Sequence, residues 1–420
     1  MKIALVARHA PASATPTDPY AAEQAAHVAG LGKALAAQGH TVVIYARKDA
    51  PGLPERETLA QGLTVRYIKA GPPAPVAADE MPQYVAEIGR YLAARWKKDR
   101  PDIVHAHHWT SALAALLAAR EQPVPIAASF GSLSTAEQRL GVPGPQDSAR
   151  TRMEKIIARS VTGVLAGTSD EVAELARLGV PGSRVRVVPA GVDTAKFSPE
   201  GPVAKKHGDL RLLHVGSLDE HQGLDKLIRA LPDLPGAELV IAGGPDPEDL
   251  DSDIAYKKLG KLAAGLGVAD RVTFTGQVPA KNLPALMRSA DVFISGSRYE
   301  PLGSAAICAM ACGTPVVANS VGAYADAVVD GTTGLLLPPG RPEVLVKRLR
   351  EALAMPMKLT AFGIAAADRA KSRYPWERIA AETVAAYERC ITAAGPQATP
   401  ATPLPARRPA APQAQPAQRK

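Results

Sequence analysis

The sequence predicts an α/β protein with two doubly wound, Rossmann-like domains that face a central cleft. Short apolar runs of strand length alternate with stretches of helical apolar spacing, and this alternation occurs in two successive blocks. A stretch without periodicity, residues 198–208, separates the blocks as a linker. We therefore predict a first domain at residues 1–197 and a second at 209–374, because each block can form its own parallel sheet covered by helices.

The first block opens with the apolar run Lys2–Ala7, which predicts a strand. A Pro- and Thr-rich loop is predicted through Tyr20, followed by a helix over Ala25–Ala36 that ends at Gln38–His40. Thr41–Tyr45 is the next strand, so the block begins with the β-loop-α-β unit typical of Rossmann-like sheets. The other predicted strands are Leu63–Ile68, Asp102–His107, Val124–Ser129 and Gly163–Gly167, and the other helices are Tyr84–Trp96, Ser111–Arg120, Arg150–Arg159 and Asp170–Leu178.

The second block starts again with a strand, Leu210–Gly216, and a C-terminal helix is predicted within residues 375–393. Beyond it, residues 394–420 are rich in Pro, Ala and Gln without apolar periodicity, which predicts a disordered extension. The other predicted strands are Glu238–Ala242, Val272–Thr275, Val292–Ser295, Pro315–Ala318 and Gly334–Pro338, and the other helices are Leu224–Leu231, Tyr256–Leu266, Leu283–Ser289, Ser304–Met310 and Pro342–Ala354.

The composition excludes several classes of protein. No run approaches about 18 apolar residues, so no membrane-spanning helix is expected, and the N-terminal strand lacks a following cleavage signal. Three cysteines cannot build a disulfide framework, which favours a cytoplasmic setting. Cys308 and Cys312 lack neighbouring metal ligands, so no metal is expected. Four of the eight net positive charges lie in the tail after residue 394, and the remaining four, without a recognition motif, do not indicate nucleic-acid binding.

One stretch, Glu300–Asn319, combines a loop, a helix, a turn and a strand. Ser304 is predicted to cap the helix, Gly313 to end it, and the apolar residues after Pro315 to begin a buried strand. A helix start offers free backbone N–H groups to an anion, and a carboxylate such as Glu300 accepts hydrogen bonds from sugar hydroxyls. The stretch therefore indicates a site for a ligand that carries both phosphates and hydroxyls, with Glu300 and Gly303 at its centre.

This stretch resembles the signature of the retaining, nucleotide-sugar-dependent glycosyltransferases of family four, which have the GT-B fold. Further motifs extend the resemblance over residues 1–393, among them Val188–Asp193 and Asp330–Gly334. The resemblance implies transfer of a sugar from a nucleoside diphosphate sugar to a hydroxyl of a small-molecule or glycan acceptor, without a metal or another cofactor. It also implies that Glu300 is the catalytic-site carboxylate, that Gly303 and Ser304 bind the donor, and that the last helix packs back on the first domain.

Three donor-binding positions of the second domain depart from the family pattern. The second Glu of the signature, which holds the donor ribose in the family, is Cys308 here, and a thiol cannot make the paired hydrogen bonds of a carboxylate. After Gly216, the diphosphate-binding Arg of the family is Ser217 and its Lys is Gln222. Two lost charge-assisted contacts of ~1.5–3 kcal/mol each would weaken donor binding on the order of a hundredfold to a ten-thousandfold.

The acceptor side of the first domain departs from the pattern as well. The family has a Gly-Gly loop where this chain has Ala22 and Glu23, which would put a carboxylate where phosphate oxygens approach. A catalytic-site His of the family is replaced by Gly131, while His107, at the end of a predicted strand, is expected to face the acceptor.

Two functions therefore remain open. An active glycosyltransferase would bind its donor through other contacts. A catalytically impaired relative would act as a binding or scaffolding protein. The basic helix Arg150–Arg159 is expected to be a solvated face, and the alternative is contact with an anionic acceptor, a protein partner or a membrane surface.

Overall fold

The computed structural model describes residues 1–9, 19–142 and 148–395. Residues 10–18 of the predicted Pro- and Thr-rich loop and residues 396–420 of the predicted disordered extension lie outside the described residues.

The first half of the chain forms an eight-stranded sheet whose strands follow the order β3-β4-β2-β1-β5-β6-β7-β8. Its strands pair in parallel except for the antiparallel pair β3 and β4. β1 is buried along nearly its whole length, as expected of a strand covered by helices on both faces. The strands are β1 Lys2–Ala7, β2 Thr41–Arg47, β3 Arg56–Ala60, β4 Leu63–Ile68, β5 Ile103–His107, β6 Ile126–Ser129, β7 Gly163–Ala166 and β8 Val185–Val187, and the helices are α1 Pro19–Ala37, α2 Val85–Lys98, α3 Trp109–Glu121, α4 Ser134–Arg139, α5 Ser148–Ser160 and α6 Ser169–Arg177.

The second half forms a six-stranded parallel sheet in the order β11-β10-β9-β12-β13-β14. The strand order reverses beside β9 here and beside β1 in the first sheet, and ligands of doubly wound sheets bind at the carboxyl ends of strands at such points. The strands are β9 Leu210–Val215, β10 Ala237–Ala242, β11 Val272–Gly276, β12 Val292–Ser295, β13 Val316–Asn319 and β14 Gly334–Leu337, and the helices are α7 Leu224–Ala230, α8 Ile254–Gly265, α9 Leu283–Arg288, α10 Ser304–Ala311, α11 Gly322–Ala327, α12 Pro342–Leu353, α13 Pro356–Arg373 and α14 Trp376–Ala394.

The last helix, α14, leaves the second half and packs on the first. It contacts α1 and the strands β5, β6 and β7. Ala380, Ala386 and Tyr387 share one apolar core with Leu5 and Ile44 of the first sheet. The chain therefore crosses between its halves twice, once before β9 and once before α14.

Two local predictions at the cleft are wrong. α1 begins at Pro19, so Ala22 and Glu23 lie in a helix and not in a loop. Pro is favoured in the first turn of a helix, and the Ala-rich segment that follows has high helix propensity. Ser304 does not cap α10, because the cap residue is Gly303, at φ 68°, without a side-chain cap. A left-handed backbone favours Gly at that position, and the free N–H groups there are bound by carboxylates from elsewhere.

Candidate functional site

A cleft of about 530 Å³ lies between the two sheets and is lined by residues from both halves. The first half contributes residues after β1, on α1 and at the start of α3. The second half contributes the loops after β9, β10 and β12 and the start of α10. The predicted site residues on this cleft are Ala22, Glu23, Gly216, Ser217, Gln222, Glu300, Gly303, Ser304 and Cys308.

Glu300 follows β12 and is held by contacts at both its backbone and its carboxylate. Its carbonyl accepts a hydrogen bond from the Ala323 N–H at 2.8 Å. Its Oε1 accepts from the Gly303 N–H and its Oε2 from the Tyr324 hydroxyl, each at 3.0 Å. Burial, together with the nearby charge of Glu23, raises the pKa of Glu300 to about 7. Each carboxylate oxygen keeps a further lone pair for a ligand hydroxyl, so this side chain is a fixed acceptor in the cleft.

The start of α10 is bound by a carboxylate from the opposite half. Glu23 Oε1 on α1 accepts a hydrogen bond from the Ser304 N–H at 3.1 Å. Burial raises the pKa of Glu23, and the hydrogen bonds from Ser304 oppose that shift. Gly303 is needed here for space as well as for its positive φ, because a Cβ at this position would lie 2.6 Å from Ala323 Cβ.

The loop after β9 brings hydroxyl, amide and carboxylate groups to the cleft. Ser217 Oγ donates to Asp219 Oδ2 at 2.6 Å, and Gln222 Nε2 lies 3.4 Å from His221 Nε2. Burial lowers the pKa of His221, so its imidazole is neutral at pH 7. Gly243 allows the β10 loop to approach, since a Cβ there would lie 2.1 Å from the Gly216 carbonyl oxygen. Positions 217 and 222 therefore hold the loop together without offering a cation.

Acidic side chains outnumber basic ones in the described lining of the cleft. Among the described residues that line it, the carboxylates of Glu23, Glu137, Asp219 and Glu300 outnumber two arginines, Arg8 and Arg150. One of these arginines, Arg150, is already paired with carboxylates. A diphosphate would therefore meet a site without the surplus of positive charge that such a ligand needs.

Arg150 uses its guanidinium on groups of its own half. Its Nε donates to Glu154 Oε1 at 2.7 Å, its Nη1 to Glu137 Oε2 at 2.8 Å and its Nη2 to Ser132 Oγ at 3.1 Å. Arg150 therefore fixes the acceptor-side wall of the cleft.

Cys308 lies one turn after Ser304 on α10 and faces the cleft. Burial raises the pKa of its thiol far above the ordinary range, so the side chain is neutral. Within residues 1–9, 19–142 and 148–395, no cluster of three or more His, Cys, Asp or Glu side chains is placed to hold a metal ion.

The structure separates His107 and Gly131 from the main cleft. Both line a second cavity of about 40 Å³, together with His27 and Glu171, behind the Pro301 loop. His108 lines the main cleft instead. Alternation along β5 places His105 and His107 on one face, and the positive φ of His108, 76°, turns the next side chain toward the cleft. The run of histidines indicates that this strand end carries functional side chains, but no pattern in the sequence predicts the positive φ of His108.

Glu171, which lines the second cavity, should make the free energy of unfolding depend on pH. The Gly167 N–H donates to Glu171 Oε2 at 2.7 Å, yet burial raises the pKa of Glu171 to about 7, compared with 4.5 for the free group. Because the folded pKa is the higher one, the free energy of unfolding should fall as pH rises from 4.5 to 7. In Glu171→Gln, the decrease in the free energy of unfolding over this pH range should be smaller by on the order of 2–3 kcal/mol. Urea unfolding at several pH values measures it, and an identical pH slope in the variant would contradict the prediction.

Carboxylates also join the two halves beside the cleft. Two such contacts join α6 and α11: Asp170 Oδ2 accepts from the Gly322 N–H at 2.8 Å, and Asp326 Oδ2 accepts from the Ser169 N–H at 2.7 Å. Each helix thus supplies the anion that its partner's positive end favours. This reciprocal pair and the Glu23–Ser304 contact fix the width of the cleft.

Comparison with known proteins places the chain in a family. Residues 24–196 match the family described as Glycosyltransferase Family 4, and residues 200–369 match Glycosyl transferases group 1. A D-inositol 3-phosphate glycosyltransferase from Streptomyces bingchenggensis is 31% identical over 382 residues, which is 86% of this chain and 83% of that relative. D-inositol 3-phosphate glycosyltransferase 2 from Catenulispora acidiphila is 32% identical over 386 residues, 87% of this chain and 89% of that relative.

Solved structures agree with this assignment. Sucrose-phosphate synthase from Thermosynechococcus elongatus superposes with a TM-score of 0.83 at 28% identity, covering 93% of this chain and 99% of that one. Anabaena Alr3699/HepE, solved in complex with UDP-glucose, has a TM-score of 0.68 at 18% identity, covering 92% and 100%, and shares the fold. No helix in the described part of the chain is long and apolar enough to cross a membrane. The chain therefore belongs to glycosyltransferase family 4, whose nucleotide-sugar-dependent members have the GT-B fold.

Proposed function

We propose that this protein transfers a sugar from a nucleotide-sugar donor to a hydroxyl of a small-molecule or glycan acceptor, with retention of the anomeric configuration. The observation that carries the proposal is the carboxylate of Glu300, which is half-buried in the cleft and held at both oxygens by Gly303 and Tyr324. A carboxylate fixed in this way can orient the hydroxyls of a sugar ring without paying for its own ordering.

The rest of the cleft supports the placement of the two substrates. The donor sugar would lie against Glu300, with its nucleotide toward the β9 loop and α10. The acceptor would enter along the first half, where His108, Ser132 and Arg150 form the wall. Retention and the absence of a metal requirement are carried over from the family that residues 300–319 resemble, and they stay predictions, as does a cytoplasmic location.

The hydrogen bonds that Arg150 already makes limit the kinds of acceptor that we expect the cleft to bind. The relatives from Streptomyces and Catenulispora are named for a phosphorylated inositol. In this chain Arg150 is engaged by Glu137, Glu154 and Ser132. We therefore infer an acceptor recognised mainly through its hydroxyls.

The test measures release of nucleoside diphosphate from millimolar UDP-, GDP- and ADP-sugars by the natural protein, Glu300→Gln and Tyr324→Phe. We expect release by the natural protein and a loss of about a hundredfold or more in Glu300→Gln, which keeps the size of the side chain but not its charge. Tyr324→Phe removes one contact to Glu300 and should cause a smaller loss. Equal release by the natural protein and Glu300→Gln would contradict the proposed role.

A second candidate function is favoured by the groups around the donor position. Ser217 and Gln222 supply no cation, Cys308 supplies no carboxylate, and Glu23 binds the start of α10. Such a cleft fits a catalytically impaired family member that binds a sugar or a protein partner, or that acts at a membrane surface. Absence of release from every donor, combined with saturable binding of a neutral sugar, would support this second function.

A further inference from the structure

We propose that Glu23 is the specificity-determining residue of the cleft, which keeps phosphate groups away from the start of α10 by occupying their position with its own carboxylate. This inference rests on the proposed function, because it concerns the donor side of the same cleft. Glu23 thereby decides whether a phosphate-bearing ligand or a neutral one is bound there.

Two backbone hydrogen-bond donors at the start of α10 are already bound by carboxylates. The first turn of a helix has backbone N–H groups without partners inside the helix, and these attract anions. Here the Gly303 N–H is bound by Glu300 and the Ser304 N–H by Glu23. An incoming phosphate oxygen must therefore displace a carboxylate before it can use the Ser304 N–H.

Glu23 reaches the start of α10 from the other half of the molecule. It lies 281 residues away from Ser304 in the sequence and belongs to α1, on the opposite half of the molecule. Its charge also acts on Cys308, one turn further along α10. The carboxylate thus faces the first turn of α10 from across the cleft, where a phosphate of a bound ligand would have to pass.

The charges near the start of α10 also bear on which ligand can bind there. Burial raises the pKa of Glu23, the hydrogen bonds from Ser304 oppose that shift, and Glu23 lies close enough to Glu300 to raise the pKa of that group. When Glu23 and Glu300 are ionised, a diphosphate of about two negative charges would be brought against two carboxylates, and like charges at close range in a partly buried site repel strongly. A sugar hydroxyl, in contrast, can donate to either carboxylate. The arrangement therefore disfavours phosphate and accepts a neutral polyol.

The experiment is calorimetric titration with UDP and with uridine, which differ only in the diphosphate. We compare the natural protein with Glu23→Ala, which removes charge and bulk, and Glu23→Gln, which keeps the bulk. UDP affinity should rise about tenfold or more in Glu23→Ala and less in Glu23→Gln, while uridine affinity stays within about twofold. Thermal unfolding of each variant establishes that it is folded.

Asp219→Asn is the matched control. It removes one cleft carboxylate that is bound to Ser217 and not to the start of α10. A similar gain in Asp219→Asn would mean that Glu23 acts only through overall charge, which would overturn the proposal. Unchanged or weaker UDP binding in folded Glu23→Ala would overturn it as well, and so would an equal gain for uridine.

The outcomes also separate this inference from the proposed function. If Glu23→Ala binds UDP more tightly but neither protein releases nucleotide from any donor, sugar transfer fails and the specificity role of Glu23 stands. If the natural protein turns over a donor and Glu23→Ala leaves UDP affinity unchanged, the specificity role fails and sugar transfer stands.

Discussion

A variant that carries Ser217→Arg and Gln222→Lys in a Glu23→Ala background should bind UDP on the order of a hundredfold to a ten-thousandfold more tightly than the natural protein. Two charge-assisted contacts to the diphosphate, at ~1.5–3 kcal/mol each, account for this range. Both positions already line the cleft. The background removes the carboxylate that would otherwise compete for the start of α10.

The gain should depend on Asp219. Ser217 now donates to Asp219, and an Arg at position 217 would pair with the same carboxylate. Adding Asp219→Asn should therefore increase the effect of Ser217→Arg. Ser252→Arg with Gln83→Lys, two exposed positions away from the cleft residues, adds the same charge and serves as the control. An equal rise in UDP affinity in this control would show that net charge alone is responsible.

Replacing Glu238 with Ala should destabilise the second half by about 3–5 kcal/mol. Glu238 Oε1 lies 2.7 Å from Arg211 Nε, and the two side chains are 10% and 3% exposed. Arg211 also donates to Ser289 Oγ and to the Lys205 carbonyl. Without Glu238, a buried guanidinium keeps neutral partners only, and an unpaired buried charge is costly.

The tryptophans allow this loss to be assigned to one half. Trp96, Trp109 and Trp376 all pack on the first half, so tryptophan fluorescence follows that half, whereas circular dichroism follows both. Urea unfolding of Glu238→Ala should shift an early circular-dichroism transition more than the fluorescence transition. The double variant Arg211→Met with Glu238→Leu should recover most of the stability. Asp233→Ala, which breaks an exposed pair with Arg350, should cost less than about 1 kcal/mol, and a loss as large as that of Glu238→Ala would contradict the burial argument.

The sequence was sufficient for the fold class because apolar runs and helical spacing are local. It could not show β3, whose residues Arg56–Ala60 lack an apolar core pattern and pair at the sheet edge. It also misassigned the cap of α10, because Ser304 has the right chemistry while the backbone at Gly303 has the left-handed conformation that ends the loop. Backbone reversals of this kind are set by packing against other elements.

In the candidate site, too, local patterns predicted some features and not others. Resemblance placed Glu23 opposite the donor phosphates, but its bond to Ser304 depends on how two halves of the chain are oriented. Because the backbone turns at His108, His108 lines the cleft in place of the expected residue, His107. Contacts between distant segments and single unusual backbone angles are the features that local patterns do not contain.

The return of α14 to the first half determines the order in which the chain can fold during synthesis. Tyr387 and Cys390 belong to the same core as Leu5 and Ile44, so that core stays incomplete until nearly the last described residue has left the ribosome. The second half, residues 210–373, emerges earlier and has its own apolar clusters. At roughly 5–20 residues per second, the first sheet waits on the order of ten seconds with one face only partly covered, by α1, while the half made after it can already close its core.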